Sequence, residues 1–190
     1  MSKIWITSDT HFSHIQPFVW EARGYKSPEH MNEEQVRKWN EVVGKEDEVW
    51  FLGDGMMNNN VTGVDCFKKL NGKIHIVCGN HDSPPRITLY RRLGYDVQDA
   101  KRLEYKKKNF LLTHEPAITS NGRFKGWRDT VNIHGHTHQT ENFTDGYALM
   151  YHAGVDSHNG YPVLLDDIIE EMEAHWKKLE MGAEGVHNEH

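Results

Sequence analysis

The sequence has few of the features that are typical of secreted proteins, membrane proteins or proteins that bind long nucleic acids. Its 190 residues include two cysteines, Cys66 and Cys78, which are too few for a disulfide scaffold and favour a reducing, cytoplasmic environment. No apolar run approaches the length of a membrane span, and residues 1–7 are too short an apolar stretch for a signal peptide. We therefore expect a cytoplasmic globular protein without a membrane partner.

A surplus of basic residues is also missing. The formal net charge is −6, and residues 166–190 account for all of it with eight acids and two lysines, while residues 1–165 balance 20 acids against 20 bases. Proteins that bind long nucleic acids need positive charge against the phosphates, so no such partner is expected. The length fits one domain over residues 1–181, followed by a flexible acidic tail at 182–190.

Strand and helix patterns alternate in the first half of the chain, which is typical of an α/β protein. A capping-box pattern predicts a helix that starts at Asn32 with Gln35 three residues later. A second helix is expected from Ser83 to about Arg92, and a final amphipathic helix is expected to include Ile168. The predicted strands cover residues 3–7, 48–52, 73–78, 97–105, 109–113, 130–133, 147–153 and 161–165.

Polar side chains with metal-ligating chemistry follow five of these strands directly. They are Asp9 and His11, then Asp54, then Asn80, His81 and Asp82, then His114, and finally His136 and His138. The carboxyl ends of parallel strands meet at one edge of a sheet, so these groups are expected to converge. Carboxylate, amide and imidazole donors without thiolate suit Mn, Fe, Zn or Ni better than Mg or Ca. A structural zinc site would use four ligands, usually including cysteine.

The ordered set Asp-x-His, Gly-Asp, Gly-Asn-His-Asp, His and Gly-His-x-His resembles the calcineurin-like metallophosphoesterase superfamily. The segment at residues 8–14, Arg23, Trp39-Asn40, Gly154-Val155-Asp156 and Gly160-Tyr161-Pro162 resemble a compact branch found in bacteria and phages. The resemblance implies a four-layer α/β/β/α sandwich, in which two facing mixed sheets are flanked by helices.

The resemblance also implies two divalent transition-metal ions, with Mn²⁺ favoured and Fe, Zn or Ni as alternatives. The implied ligands are Asp9, His11 and His138 for one ion, Asn80, His114 and His136 for the other, and Asp54 between both. A hydroxide held by the metals would attack phosphorus, His81 would protonate the leaving group, and Asp82 would orient His81. An alternative reading of Asp82 is a helix cap.

Substrate contacts are less constrained by the pattern. His14, Arg23 and Arg128 are candidate substrate-binding residues, and Trp127 either stacks on a base or packs in the fold. His134, His152 and His158 are assigned structural or exposed positions. Loops 15–31, 56–63 and 117–129 are expected to decide which substrates enter.

The expected function is hydrolysis of a small phosphorylated molecule, such as a cyclic or linear nucleotide, by a dinuclear phosphodiesterase. A phosphomonoesterase or a nucleotide pyrophosphatase is the alternative, since the same metal pair serves all three reactions. A non-catalytic scaffold on the same fold is a third reading, which the presence of His81 and all seven ligands disfavours. The sequence does not indicate an oligomeric state.

Overall fold

The computed structural model describes residues 2–120, 126–144 and 147–186, with side chains through residue 180. The strands are β1 (Ile4–Thr7), β2 (Glu48–Phe51), β3 (Lys73–Val77), β4 (Asp96–Gln98), β5 (Lys101–Tyr105), β6 (Lys108–Leu112), β7 (Thr130–His134), β8 (Met150–His152) and β9 (Val163–Leu164). The helices are α1 (Pro17–Trp20), α2 (Pro28–Val42), α3 (Asn60–Phe67), α4 (Pro84–Arg92) and α5 (Leu165–Val186), with a 3₁₀ turn at Gly126–Arg128.

The strands form two mixed sheets. The first has the order β4-β3-β2-β1-β9, in which β1 to β4 run parallel and β9 pairs antiparallel with β1. The second has the order β5-β6-β7-β8, in which β5 alone is antiparallel to its neighbour. The predicted class, two facing mixed sheets flanked by helices, is confirmed.

The apolar core occupies two layers. Ile6, Leu52 and Val77 of the first sheet pack with Phe110 and Ile133 of the second, and α5 contributes to the same cluster. The opposite face of the first sheet is covered by α2, α3 and α4, whose largest buried side chains are Trp39, Phe67 and Tyr90. Both faces of β1, β2 and β3 are therefore buried, which explains their nearly continuous apolar sequences.

Helix α2 begins earlier than the capping-box pattern predicted. Ser27 is the N-cap and accepts a hydrogen bond from the His30 backbone N–H, and Pro28 occupies the first turn. Asn32 and Gln35 instead lie inside the helix, buried, with their side chains directed at the loop after β1. The prediction was wrong because two polar residues that brace a buried loop imitate a cap.

The predicted strand 97–105 was also wrong, since it is two strands in different sheets. β4 completes the first sheet beside β3, and β5 starts the second sheet as an edge strand. The chain crosses between sheets at Asp99 and Ala100. A residue-by-residue pattern does not report which sheet a strand joins.

The final helix α5 starts at Leu165 and extends to Val186, into the segment predicted as a flexible tail. Residues 187–190 of that segment lie outside the described residues. No helix in the described part of the chain combines the length and apolar character that a membrane crossing requires.

Candidate metal centre and substrate cavity

The candidate ligands project from the carboxyl ends of parallel strands in both sheets. Asp9 and His11 follow β1, Asp54 follows β2, and Asn80 follows β3. His114 follows β6 of the second sheet, and His136 and His138 follow β7. Because these strands run in parallel, their ends share one edge, and the two facing sheets bring both sets together there.

A first cluster gathers around Asp9 Oδ1. His11 Nε2 and His138 Nε2 each lie 3.7 Å from this oxygen and 3.2 Å from each other. The other Asp9 oxygen accepts hydrogen bonds from the Ser8 hydroxyl and the His136 backbone N–H. Asp9, His11 and His138 thus present three ligand atoms to a common point.

A second cluster gathers around Asn80 Oδ1. His114 Nε2 and His136 Nδ1 each lie 2.9 Å from this oxygen and 3.2 Å from each other. Asp54 Oδ2 lies between the clusters, 3.4 Å from His114 Nε2 and 4.0 Å from His11 Nε2. Its carboxylate is therefore positioned to contribute to both.

These clusters fit divalent cations. Ligand atoms about 2.1 Å from one ion and at right angles are about 3 Å apart, close to the separations found here. Within the described residues, the buried Asp9 Oδ1 has no hydrogen-bond partner. Converging lone pairs and a buried unpartnered carboxylate oxygen are the features that a bound cation satisfies.

The electrostatics of the centre also favour positive charge. Burial opposes protonation of His114, but the carboxylates of Asp54 and Asp9 outweigh it and raise the His114 pKa to about 9. Burial likewise raises the pKa of Asp9, whereas for Asp54 the His114 ring and the His81 backbone N–H outweigh burial and lower the pKa. The two carboxylates thus favour positive charge at this point of the centre.

Five of the candidate ligands occupy an uncommon backbone conformation. Their φ angles are 60° for Asp9, 47° for His11, 57° for Asp54, 66° for His136 and 50° for His138. This left-handed region disfavours residues that carry a side chain, and it is found where surrounding structure holds the backbone in place. After β1, the left-handed residues Asp9 and His11 bring their side chains to the same cluster. After β7, His138 reaches that cluster, whereas His136 reaches the one around Asn80.

Close backbone packing holds these turns together. A Cβ on Gly135 would overlap the Ser8 and Asp9 side chains, and a Cβ on Gly79 would overlap the Asp54 carboxylate. Glycine is therefore required beside the ligands at two of the strand ends, those of β3 and β7. Asn32 and Gln35 of α2 fix the first loop from outside, by hydrogen bonds to the Ser13 N–H and the Thr10 carbonyl.

Asp156 belongs to the site, although the sequence patterns assigned it no role. Its Oδ2 lies 2.7 Å from His138 Nδ1, so His138 donates there and turns its Nε2 lone pair toward Asp9. This hydrogen bond raises the His138 pKa. A carboxylate shortly after β8, on a strand parallel to β7, was the available signal.

Arg23, predicted as a substrate contact, makes its hydrogen bonds within the protein. Its guanidinium, 9% exposed, makes two 2.8 Å hydrogen bonds to Asp156 and donates to the carbonyl oxygens of Asp9 and Thr10. Arg23 thereby ties the ligand loop after β1 to the carboxylate that orients His138.

Asp82 also acts differently from the prediction, because its carboxylate does not orient His81. One oxygen accepts the backbone N–H groups of Asp54 and Gly79, and the other accepts the Tyr90 hydroxyl. Asp82 therefore fixes the loop that carries Asp54. The N-cap of α4 is Ser83, so the capping alternative is not found either.

His81 stands at the edge of the centre and faces a large cavity. Its side chain is 46% exposed, and Nε2 lies 3.9 Å from Asp54 Oδ2. The cavity, of about 650 Å³, is also lined by His11, His138 and His14. His14 therefore lies where a substrate contact was predicted, and burial lowers its pKa, which keeps the ring neutral near pH 7.

The predicted loops contribute unequally to this larger cavity. Loop 15–31 supplies a wall that includes Phe18, and loop 56–63 is represented by Met57, near its start. A smaller cavity of about 440 Å³ borders Asn80 and His114 of the centre and is also lined by Asp99 and Glu115.

Trp127 and Arg128 lie at the amino end of β7, whereas the ligands follow its carboxyl end. A five-residue strand spans about 16 Å, so Arg128 is misplaced for the predicted phosphate contact. The Trp127 ring packs against Trp176 of α5 and donates to Glu173, which identifies it as a packing residue. Residues 121–125 of this loop lie outside the described residues.

His134 and His152 are buried side by side behind the centre, with ring centroids 5.6 Å apart. Burial lowers both pKa values, that of His152 to about 3. Their predicted structural placement agrees with full burial, and neither ring joins the two ligand clusters.

The fold and the site together define a metal-binding α/β protein with ligands at the strand ends of two facing sheets. The chain belongs to the calcineurin-like phosphoesterase superfamily, whose domain pattern matches residues 2–155. Members of this superfamily are hydrolases of phosphoric esters, and the Asp and His clusters described above are positioned to bind metal.

Relatives cover most of the chain. The uncharacterised protein MJ1445 of Methanocaldococcus jannaschii is 32% identical over 181 residues, which span 91% of this chain and 93% of the relative. The gene 66 protein of Mycobacterium phage D29 is 35% identical over 164 residues, 73% of this chain and 79% of the relative. The crystal structure of AQ665, a protein of unknown function from Aquifex aeolicus, shares the fold with a TM-score of 0.66 at 23% identity, covering 90% of this chain and 99% of that one.

Proposed function

We propose that the protein is a dinuclear metal-dependent phosphodiesterase that hydrolyses a small phosphorylated substrate, with nucleotides as the first class to test. The observation that carries the proposal is the pair of ligand clusters that share Asp54 Oδ2. We assign Asp9, His11 and His138 to one ion, Asn80, His114 and His136 to the other, and Mn²⁺ as the first metal to load. The two free thiols, Cys66 and Cys78, suit a reducing cytoplasm.

Two divalent cations in this centre would stabilise the phosphoryl oxygens as Lewis acids and lower the pKa of water. The side chains of the protein position the reacting groups and supply a proton to the leaving group. His81 borders both the centre and the larger cavity, so it can donate a proton to the oxygen of the leaving group as the P–O bond breaks. Its backbone N–H donates to Asp54 Oδ1 at 2.8 Å, which holds His81 at a fixed place beside the bridging carboxylate.

The cavities favour a small diester over a polymer. A volume of about 650 Å³ is that of a small-molecule site. A second cavity, which borders Asn80 and His114 of the centre, offers room for the other substituent of a diester, whereas a monoester has no such substituent. A phosphomonoesterase or nucleotide pyrophosphatase remains the second candidate because the ligand set serves those reactions equally.

The test compares bis-p-nitrophenyl phosphate with p-nitrophenyl phosphate, using Mn²⁺-loaded protein. We expect the diester to be cleaved faster and the rate to fall about 10²- to 10⁴-fold in His81→Ala. His75→Ala is the control, because His75 stacks on Trp50 within the first sheet, away from the cavity.

Faster cleavage of the monoester would select the second candidate. No turnover of either compound by protein that holds two ions per chain, measured by elemental analysis, would overturn the assignment to simple diesters. Metal content near zero after loading would instead support a non-catalytic scaffold.

A further inference from the structure

The two cavities beside the metal centre carry opposite charge. Counting Lys, Arg, Asp and Glu, the larger one is lined by Arg23, Lys38 and Asp156, a net charge of +1, because Arg23 and Asp156 pair with each other. The smaller one is lined by Asp99 and Glu115, a net charge of −2. An anionic part of a substrate is therefore attracted to the larger cavity and repelled from the smaller one.

The positive charge of the larger cavity resides on Lys38, at α2. Among the described residues, no carboxylate lies within 4 Å of its Nζ, and the nearby Glu34 and Glu41 pair with Arg37 instead. The ammonium donates to the Asn159 carbonyl at 2.6 Å and to the Tyr25 hydroxyl at 3.5 Å. An ammonium has three protons to donate, so capacity remains for an anionic acceptor.

Aromatic rings hold this ammonium in place. Its Nζ lies 5.4 Å from the centre of the Tyr25 ring and 5.5 Å from that of Tyr161, within the range of cation–π attraction. The Lys38 side chain is half-buried, so the charge is held at one position instead of sampling solvent. Such placement lowers the entropy that is lost when an anion binds.

An apolar wall also lines the larger cavity. It includes Phe18, Val19 and Ala22 of the segment around α1. The Phe18 ring is 73% exposed and meets His14 edge-on with ring centroids 5.7 Å apart. Exposed aromatic surface inside a cavity suits the flat or apolar body of a ligand.

We propose that Lys38 binds a second anionic group of the substrate, separate from the phosphate that is cleaved. The substrate class is then a phosphodiester with a further phosphate or carboxylate, joined to the first by a body that packs on Phe18. This inference rests on the proposed function, because it takes the metal centre as the place of the scissile phosphate.

The test uses two dinucleotides that differ by one terminal group, pApA and ApA. We expect the Mn²⁺-loaded protein to cleave pApA with kcat/KM about tenfold above that for ApA, the size of one charge-assisted contact. In Lys38→Met the pApA to ApA ratio should fall toward one, and in Lys38→Arg it should be largely kept. Lys45→Met, an exposed lysine beyond α2, is the control and should leave the ratio unchanged.

Equal rates for pApA and ApA in the unchanged protein, or a tenfold preference that survives in Lys38→Met, would overturn the role of Lys38. Hydrolysis of bis-p-nitrophenyl phosphate in the same preparation separates this failure from failure of the proposed function. Calorimetric binding of adenosine 3′,5′-bisphosphate and adenosine 5′-monophosphate to the same proteins gives the charge preference even without turnover. Equal affinities of the two ligands would then reject the proposal.

Discussion

Asp156 is a single side chain on which two parts of the metal centre depend. It accepts the Nδ1–H of His138 and neutralises the buried guanidinium of Arg23. Removing a carboxylate that orients a metal-ligating histidine commonly weakens metal binding by 10- to 100-fold. The effect should therefore be visible in metal affinity as well as in rate.

We expect Asp156→Asn to lower the affinity for Mn²⁺ by about tenfold or more, measured by equilibrium dialysis on folded protein. Its unfolding free energy should also fall, because Arg23 loses its charged partner in a buried position. Asp166→Asn is the matched control, since its ion pair with Lys106 is exposed and distant. Unchanged Mn²⁺ affinity in Asp156→Asn would rule out the orienting role.

Individual site residues could be predicted from the sequence where a side chain with metal-ligating chemistry follows a strand. Asp9, Asp54 and His136 each stand directly beyond a strand, and the structure brings them together. Asp82 and Arg23 were placed in the right region with the wrong partners, because which of several neighbours a carboxylate accepts from is decided by tertiary packing. Asp156 was noted only as part of Gly154-Val155-Asp156, because its partners Arg23 and His138 lie in other segments of the chain.

The 3₁₀ turn before β7 contributes to packing between the second sheet and α5. Its Trp127 ring packs against Phe110 and Trp176, 5.8 and 4.7 Å between ring centroids, and joins the second sheet to α5. This is a packing contact at the end of the sheet opposite the metal centre. Loss of the ring should act on stability and not on substrate binding.

We expect Trp127→Ala to lower the unfolding free energy by about 2 kcal/mol, less than a fully buried tryptophan because the ring is half-buried. The KM for bis-p-nitrophenyl phosphate should stay within about twofold. Trp127→Phe, which keeps a ring but loses the donor to Glu173, should recover part of the stability. A raised KM with an unchanged unfolding free energy would instead indicate that Trp127 contacts the substrate.

Elements were predictable where periodicity and boundaries agreed. Helix α4 starts at Pro84, where the two prolines predicted a first turn, and ends at Arg92, as expected. The start of α2 and the division between β4 and β5 were predicted wrongly for the same reason. The buried polar residues of α2 and the passage of the chain from one sheet to the other both depend on tertiary contacts. Those contacts join residues far apart in the chain, which local patterns do not contain.

At the scale of the whole molecule, buried histidines make the free energy of unfolding depend on pH. Burial lowers the pKa of His152 to about 3, and the neighbouring His134 and His158 add to the shift while Asp156 opposes it. A histidine that is neutral when folded takes up a proton on unfolding below about pH 6.5. Stability is therefore full above that pH and is lost as pH falls toward 3.

Between pH 7.5 and pH 5, His152 alone should remove about 2 kcal/mol from the unfolding free energy. We expect His152→Asn to show a smaller loss than the unchanged protein over this range, by about that amount, in urea titrations. Ser157→Ala is the matched variant, because it removes the Nδ1 partner of His152 but keeps the titrating ring. Identical pH dependence in His152→Asn would show that other groups cause the acid loss.

The left-handed backbone at Asp9, His11, Asp54, His136 and His138 makes opposite demands on the residue type at these positions. Each such residue costs about 1 kcal/mol relative to glycine, on the order of 5 kcal/mol together, against a total stability of about 5–15 kcal/mol for a typical domain. Glycine at any of the five positions would relieve this backbone cost but would remove a candidate ligand.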